Sequence, residues 1–388
     1  MSKPPVISRV VLRNYKSIRH CDVRLEPITF LVGPNGAGKG NFVEALQFLS
    51  FGLSNSLEQA IENRSGFHNI LRKSPAKVSQ IAFEICFRLG LQTSGTYFVT
   101  IEAAQDGPIV VTHEECIVCS QKGRDWFKVD KEAVDSNQGP VPAASEGKLY
   151  LANASGIEPF ESVYRTLSSI VVYNPVPDEI RGFKSEKRYR SLDRTGSALA
   201  EIVYKLKSSD PERLTRISEY LQKISPEIHA VEALSVDSNY SLRFNVKQAP
   251  GVYETFSAQN VSDGTLRALA VLVGLFQKNE HHPLSLIALK EPEAGVHPAA
   301  AGVLFDALME ASYNKQVVVT SHSPDLLDRN DIPENALRAV VMEQGETIIG
   351  DVDEAGKTVM RERLYTAGEL LRMDQLRPEG ISNLADVG

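Results

Sequence analysis

A short β-branched and apolar run at 28–32 ends at a glycine, and the apolar positions after it, 42, 43, 45, 46, 48 and 49, repeat at helical spacing. The first pattern predicts a buried strand, the second a helix with one buried face. Alternating or β-rich stretches recur at 8–12, 80–89, 97–103, 109–119 and 169–173, so the first third reads as mostly sheet. Residues 130–147 gather Asp, Ser, Pro, Gly and Ala without periodicity and read as an exposed loop. Helical spacing dominates 196–223, interrupted at Ser209-Asp210-Pro211, where Asp210 can cap and Pro211 can open a second helix. Strand patterns return at 230–236, 240–246 and 253–257. A capped apolar helix to 276 follows, then a buried strand at 284–289, a helix through 309 and a strand at 316–320. This order predicts an α/β protein: a β-rich N-terminal lobe over 1–175, a basic segment and short helical insert over 176–228, and an α/β C-terminal lobe over 229–388.

Charge and cysteine usage narrow the class. With 42 basic and 49 acidic residues the net charge is −7, so affinity for nucleic acid must come from a local basic surface. No apolar run reaches the roughly 18 to 20 residues of a membrane span. The start, Met1-Ser2-Lys3-Pro4-Pro5, lacks the apolar core of a secretion signal, and a cytoplasmic location is expected. Cys21, Cys86, Cys116 and Cys119 are too scattered for a disulfide framework. His113, Cys116 and Cys119 resemble half a zinc site, but strand residues three apart face opposite ways, so no metal site is expected there.

The glycine after the first buried strand opens Gly33-Pro34-Asn35-Gly36-Ala37-Gly38-Lys39, with Gly40 and Asn41 completing the turn into the helix. Strand, glycine loop and helix bring backbone N–H groups, the positive end of the helix dipole and a lysine to one point, an arrangement that cradles triphosphate oxygens. ATP is the expected ligand. The hydroxyl that would ligate Mg²⁺ should follow the lysine, and Gly40 stands there instead. The strand at 284–289 ends in Lys290-Glu291-Pro292-Glu293, where the Glu291 carboxylate can orient an attacking water. The strand at 316–320 ends in Ser321-His322-Ser323-Pro324, placing His322 where it could touch a terminal phosphate. Over 181–194 six basic residues, among them Arg181, Lys184, Lys187, Arg188 and Arg190, accompany two acidic residues and two aromatics. Such a segment suits a phosphate backbone, an acidic protein partner or a solvated turn. Asp351 and Asp353 read as solvent-facing rather than as nuclease ligands.

Taken together these blocks resemble the RecF/SMC-like branch of ABC ATPases, including the ATPase domains of the overcoming-lysogenization-defect family and related phage-defence proteins. The likeness covers nearly the whole chain, and Arg13-Asn14-Tyr15-Lys16-Ser17-Ile18 is similar to the family's opening strand and turn. It implies a P-loop NTPase of the ABC-ATPase head type. It also implies an ATP-sandwich homodimer, in which Ser262, Asp263 and Gly264 of one chain close over nucleotide held by Gly33 to Lys39 of the other. Glu291 then looks like the catalytic base and His322 like the switch histidine, in phage defence or DNA maintenance. About 60 residues follow His322, short of the nuclease domain that such proteins often carry, so a separate nuclease or toxin effector subunit is expected. Direct DNA contact and assembly beyond a dimer stay open.

Two departures from the family pattern fall on one chemical function. The Walker A hydroxyl is replaced by Gly40, and the Walker B acid by Lys290. Lys290 is a candidate to supply part of the metal's charge; alternatively it pairs with Glu291 or Glu293 and leaves Mg²⁺ held by phosphate and water. Mg²⁺ use therefore stays open, and slow or absent turnover is expected. The alternative function is an active RecF-like, DNA-dependent ATPase driven by Glu291.

Overall fold

The computed structural model describes residues 6–74, 78–103, 109–139, 141–145, 147–182, 191–236, 239–277 and 284–380. Strands β1 (Val6–Tyr15) and β2 (Ile18–Arg24) form a hairpin, and β3 (Ile28–Val32) runs into the glycine loop and the helix Lys39–Ser54. Strands β4 to β8 follow at Gln80–Arg88, Ser94–Ala103, Ile109–Ser120, Gly123–Asp130 and Ala133–Ser136, and β9 spans Ile170–Tyr173. After the helices Leu199–Ser209 and Pro211–Ile224 come β10 to β12 at Ile228–Val236, Asn239–Ala249 and Val252–Ser257. The helix Asp263–Phe276 leads to β13 (Leu286–Lys290), the helix Ala301–Ser312 to β14 (Gln316–Ser321), and β15 (Leu337–Glu343) and β16 (Glu346–Asp351) follow.

These strands make three sheets. The central one has the order β16-β15-β3-β14-β13-β9 and is parallel apart from β16. Strands β3 and β14 are buried along their whole length because both faces of the sheet are covered. Phe30, Ile287, Leu289, Val317 and Val319 face the core built with the helices Asp263–Phe276 and Ala301–Ser312, where Phe30 and Phe305 stack 5.6 Å apart. Leu31, Leu286, Ala288 and Val318 face the opposite core, shared with the helix Lys39–Ser54 and the antiparallel sheet. That seven-stranded sheet, β2-β1-β4-β5-β6-β7-β8, shows the half-buried alternation its sequence predicts, with Ile81, Phe83, Ile85 and Phe87 inward. The third sheet, β10-β11-β12, is antiparallel. The central sheet takes β3 and β9 from the first segment and β13 to β16 from the last, so the site is assembled from both.

One local expectation is corrected. The stretch at 130–147 is not loop throughout: β8 lies in it and pairs with β7, because Ala133-Val134-Asp135-Ser136 completes a hairpin whose turn puts Lys131 at φ 58°. The helical break is as expected, with the Asp210 side chain accepting from Arg213 N at 3.2 Å. Cys116 is buried and Cys119 exposed on β6, as opposite-facing strand positions require.

One buried carboxylate braces the join between β6 and the chain after it. Glu114 accepts from Tyr97 Oη at 3.0 Å, Tyr150 N at 2.6 Å and Leu151 N at 2.7 Å. Burial outweighs these bonds and pushes its carboxyl up from 4.5 to about 7. The folded protein therefore keeps this proton to higher pH than the unfolded chain. The stabilisation is complete below pH 4.5 and is lost as pH rises through about 7. Chemical denaturation across that window is expected to show a fall in unfolding free energy about 3 kcal/mol steeper than in Glu114→Gln. Parallel slopes for the two proteins would contradict it.

Candidate nucleotide site

The glycine loop lies at the carboxyl end of β3, between β14 and β15 in the sheet, where open α/β sheets form their ligand crevice. Gly36 and Gly38 adopt φ of 80° and 96°, a region that glycine enters without cost. The loop is braced from behind. Thr347 Oγ1 donates to Ala37 O at 2.9 Å, lies 2.6 Å from Ser17 Oγ, and Asn41 Nδ2 donates to the same Ser17 hydroxyl at 2.7 Å. A Cβ on Gly38 would sit 1.9 Å from Thr347 Oγ1, and one on Gly33 would sit 1.9 Å from Val340 O. Close approach demands glycine at both positions, and at Gly38 the backbone conformation does so too.

Lys39 is 5% exposed and donates to Gly33 O at 2.7 Å and Pro34 O at 2.8 Å. Burial lowers its pKa, while the charges of Glu291 and Glu293 act the other way. Its ammonium is thus held at the loop by neutral carbonyls, ready for a stronger anionic partner.

The neighbouring strand ends supply the other polar groups. Glu291 follows β13 with φ 46°, a strained conformation for a non-glycine residue, and its N–H donates to Thr320 O at 3.0 Å. His322 follows β14, with Nδ1 3.4 Å from Glu291 Oε1 but without a hydrogen bond between them. Glu293 is 8% exposed; Oε1 accepts from Ser321 Oγ at 2.6 Å, and Oε2 has no hydrogen-bond partner among the described residues. Burial raises its carboxyl above the usual range, although the Ser321 bond opposes this. The sequence pattern singled out Glu291 and His322; Glu293 emerges from burial.

Lys290, at the end of β13, makes no hydrogen bond or ion pair among the described residues, so the expected alternative of pairing with Glu291 or Glu293 is not realised. Glu44, one turn along the loop helix from Gly40, is instead the carboxylate whose charge acts on it. Glu44 accepts a hydrogen bond from Lys16 Nζ at 2.6 Å and is ion-paired with Arg64 Nε at 3.4 Å. Lys290 Nζ lies 3.8 Å from where a Cβ on Gly40 would be. These residues do not fit a divalent ion: no hydroxyl extends from position 40, and an ammonium stands beside it. The motifs did not reveal Lys16, Glu44 and Arg64; an acid in the otherwise apolar first turns of the loop helix was the available signal.

Ser262, Asp263 and Gly264 begin the helix Asp263–Phe276, with Ser262 Oγ accepting from Thr265 N at 3.2 Å. Among the described residues, no hydrogen bond or ion pair joins this motif to the loop at 33–39. It meets instead the turn after Glu291: a Cβ on Gly264 would sit 1.9 Å from Gly295 O. A cavity of about 410 Å³ opens there, lined by Ser262, Gly264, Gly295, His297 and Lys223. Of the basic segment, Arg181 is 17% exposed and is engaged within the fold. It donates to Ala258 O at 3.2 Å, Val261 O at 2.8 Å and Asp263 Oδ1 at 2.6 Å. Lys184, Lys187, Arg188 and Arg190 lie outside the described residues.

The family model described as "AAA domain, putative AbiEii toxin, Type IV TA system" matches residues 28–328, which takes in the glycine loop, the Ser262 motif, Glu291 and His322. The chain belongs to this family. The fold of this AAA-domain protein is that of an SMC-type ATPase head. A solved Smc head bound to the C-winged helix domain of ScpA superposes with a TM-score of 0.55 at 16% identity, covering 91% of this chain and 99% of that one. An Smc head with an extended coiled coil, bound to a C-terminal domain of ScpA from Pyrococcus furiosus, gives 0.54 at 13% identity, covering 93% and 99%. Curated relatives match more locally. The DNA replication and repair protein RecF of Vibrio vulnificus is 41% identical over 49 residues, 12% of this chain and 14% of that protein. RecF of Bifidobacterium adolescentis is 45% identical over 56 residues, 14% of each. The match thus spans about one seventh of these relatives' length.

Proposed function

We propose that the chain is an ATP-binding head that pairs around nucleotide and acts as sensor, scaffold or gate for a separate effector, in anti-phage defence or DNA maintenance. The observation that carries this is the division of the site. The loop at 33–39 is braced and holds its lysine in place, while Ser262-Asp263-Gly264 begins a helix that, among the described residues, has no hydrogen bond or ion pair to that loop and is free to meet the nucleotide of a second copy. ATP bridging two chains stabilises the closed pair by mass action, so occupancy itself can switch a partner. The Smc heads of like fold that were solved with ScpA domains support a head that docks a separate protein. The family description, which names a toxin, supports a defence role.

Turnover is slow or absent in this reading, because positions 40 and 290 lack metal-holding groups and in-line phosphoryl transfer relies on such a cation. The approach of Glu291 to His322, together with the RecF-like stretch, favours the second reading, a DNA-dependent ATPase. Measuring phosphate release and ATP binding on the same preparation, with and without DNA, separates the two. Saturable binding with background release, unaltered by Glu291→Gln, is expected; release that DNA stimulates and Glu291→Gln abolishes would contradict the assembly reading.

A further inference from the structure

A half-buried ammonium without a counter-ion is costly unless an anion is destined for it. Lys290 comes close to that case, since among the described residues it makes no hydrogen bond or ion pair. Burial pulls its pKa down, and Arg194, Lys16 and Arg64 add to that pull while Glu44 opposes it. Glu44 has little charge to spare, since Lys16 and Arg64 already hold its oxygens. Positive groups thus predominate among the charges that act most on Lys290, with Lys16, Arg64 and Arg194 against Glu44, beside the first turn of the loop helix. Gly40 leaves that turn bare toward the ammonium, 3.8 Å from its own absent Cβ.

We infer that Lys290 and Gly40 form a metal-free subsite that takes the terminal phosphates of a nucleoside triphosphate, the ammonium occupying the place that a divalent cation would fill. The inference rests on the nucleotide-binding reading above and deepens it. A hydroxyl at position 40 would serve a metal but has no task beside an ammonium, and an acid at position 290 would draw a metal but repel bare phosphate. The two substitutions are thus complementary. Lys39 and Lys290 then approach the phosphates from the loop side and from the strand-end side, and the surplus of positive charge balances a triphosphate that arrives without its ion. Lysine supplies charge without fixed coordination geometry, which suits holding a ligand more than transferring a phosphoryl group.

The test is calorimetric titration of ATP into the full chain, once in EDTA and once in excess Mg²⁺. Wild-type affinity is expected to agree within about threefold between the two conditions. Lys290→Met, which keeps the side-chain volume, is expected to lose roughly 100-fold in EDTA, and Lys290→Arg to keep most of the affinity. The double variant Gly40→Ser with Lys290→Asp is expected to bind ATP only when Mg²⁺ is present. Should that double variant fail to fold, the Met and Arg variants decide alone. Wild-type binding that collapses in EDTA, or Lys290→Met binding that matches wild type in EDTA, would overturn the subsite while leaving nucleotide binding intact. Absence of ATP binding in both conditions would overturn the nucleotide reading itself.

Discussion

Lys39→Ala is expected to lower ATP affinity by at least about 100-fold while leaving the fold intact. The ammonium is buried, is held at the loop by two carbonyls alone, and feels Glu291 and Glu293 only through space. Its removal frees Gly33 O and Pro34 O, a loss of about 1–3 kcal/mol in the empty protein, which the two cores flanking the central sheet can absorb. The phosphates, by contrast, lose a charged donor that no other side chain can bring to the same point. Titration calorimetry together with circular dichroism checks both halves of the expectation. An unaltered affinity would mean that nucleotide, if bound, lies elsewhere.

Gly264→Ala is expected to act on assembly rather than on binding within one chain. The added methyl would meet Gly295 O at 1.9 Å and Gly295 C at 2.8 Å, and both are backbone atoms that cannot rotate away. The start of the Asp263–Phe276 helix must shift from the turn that follows Glu291, at a cost of about 1–3 kcal/mol in stability. Among the described residues the loop at 33–39 has no hydrogen bond or ion pair to this motif, so ATP affinity of the single chain should hold. Light scattering in saturating ATP and titration measure assembly and binding separately, and denaturant unfolding gives the loss of stability. Equal losses in binding and in assembly would mean that the motif serves the loop of its own chain.

The contrast between these variants follows what the sequence could and could not disclose. The loop, the Ser262 motif, Glu291 and His322 are legible because each is a contiguous stretch whose backbone path is set locally, by glycines, a cap and buried strands. The central sheet is legible for the same reason, as apolar runs of strand length. The charge cluster is not: Lys16, Glu44, Arg64, Arg194 and Lys290 come from separate turns, a helix and a strand end, and no periodicity links them. Arg181 shows the opposite failure. Its place in a basic run suggested an exposed contact, whereas its guanidinium is spent on Ala258, Val261 and Asp263. The strand β8 was hidden because four residues of mixed polarity carry too little pattern to stand out from a loop.

The central claim is that ATP holds two copies of this chain together, and light scattering of the purified protein measures it directly. Wild type is expected to run at the mass of one chain without nucleotide and at twice that mass with saturating ATP, with Lys39→Ala staying at one chain in both conditions. A mass that ATP leaves unchanged, under conditions where titration shows ATP bound, would contradict the account.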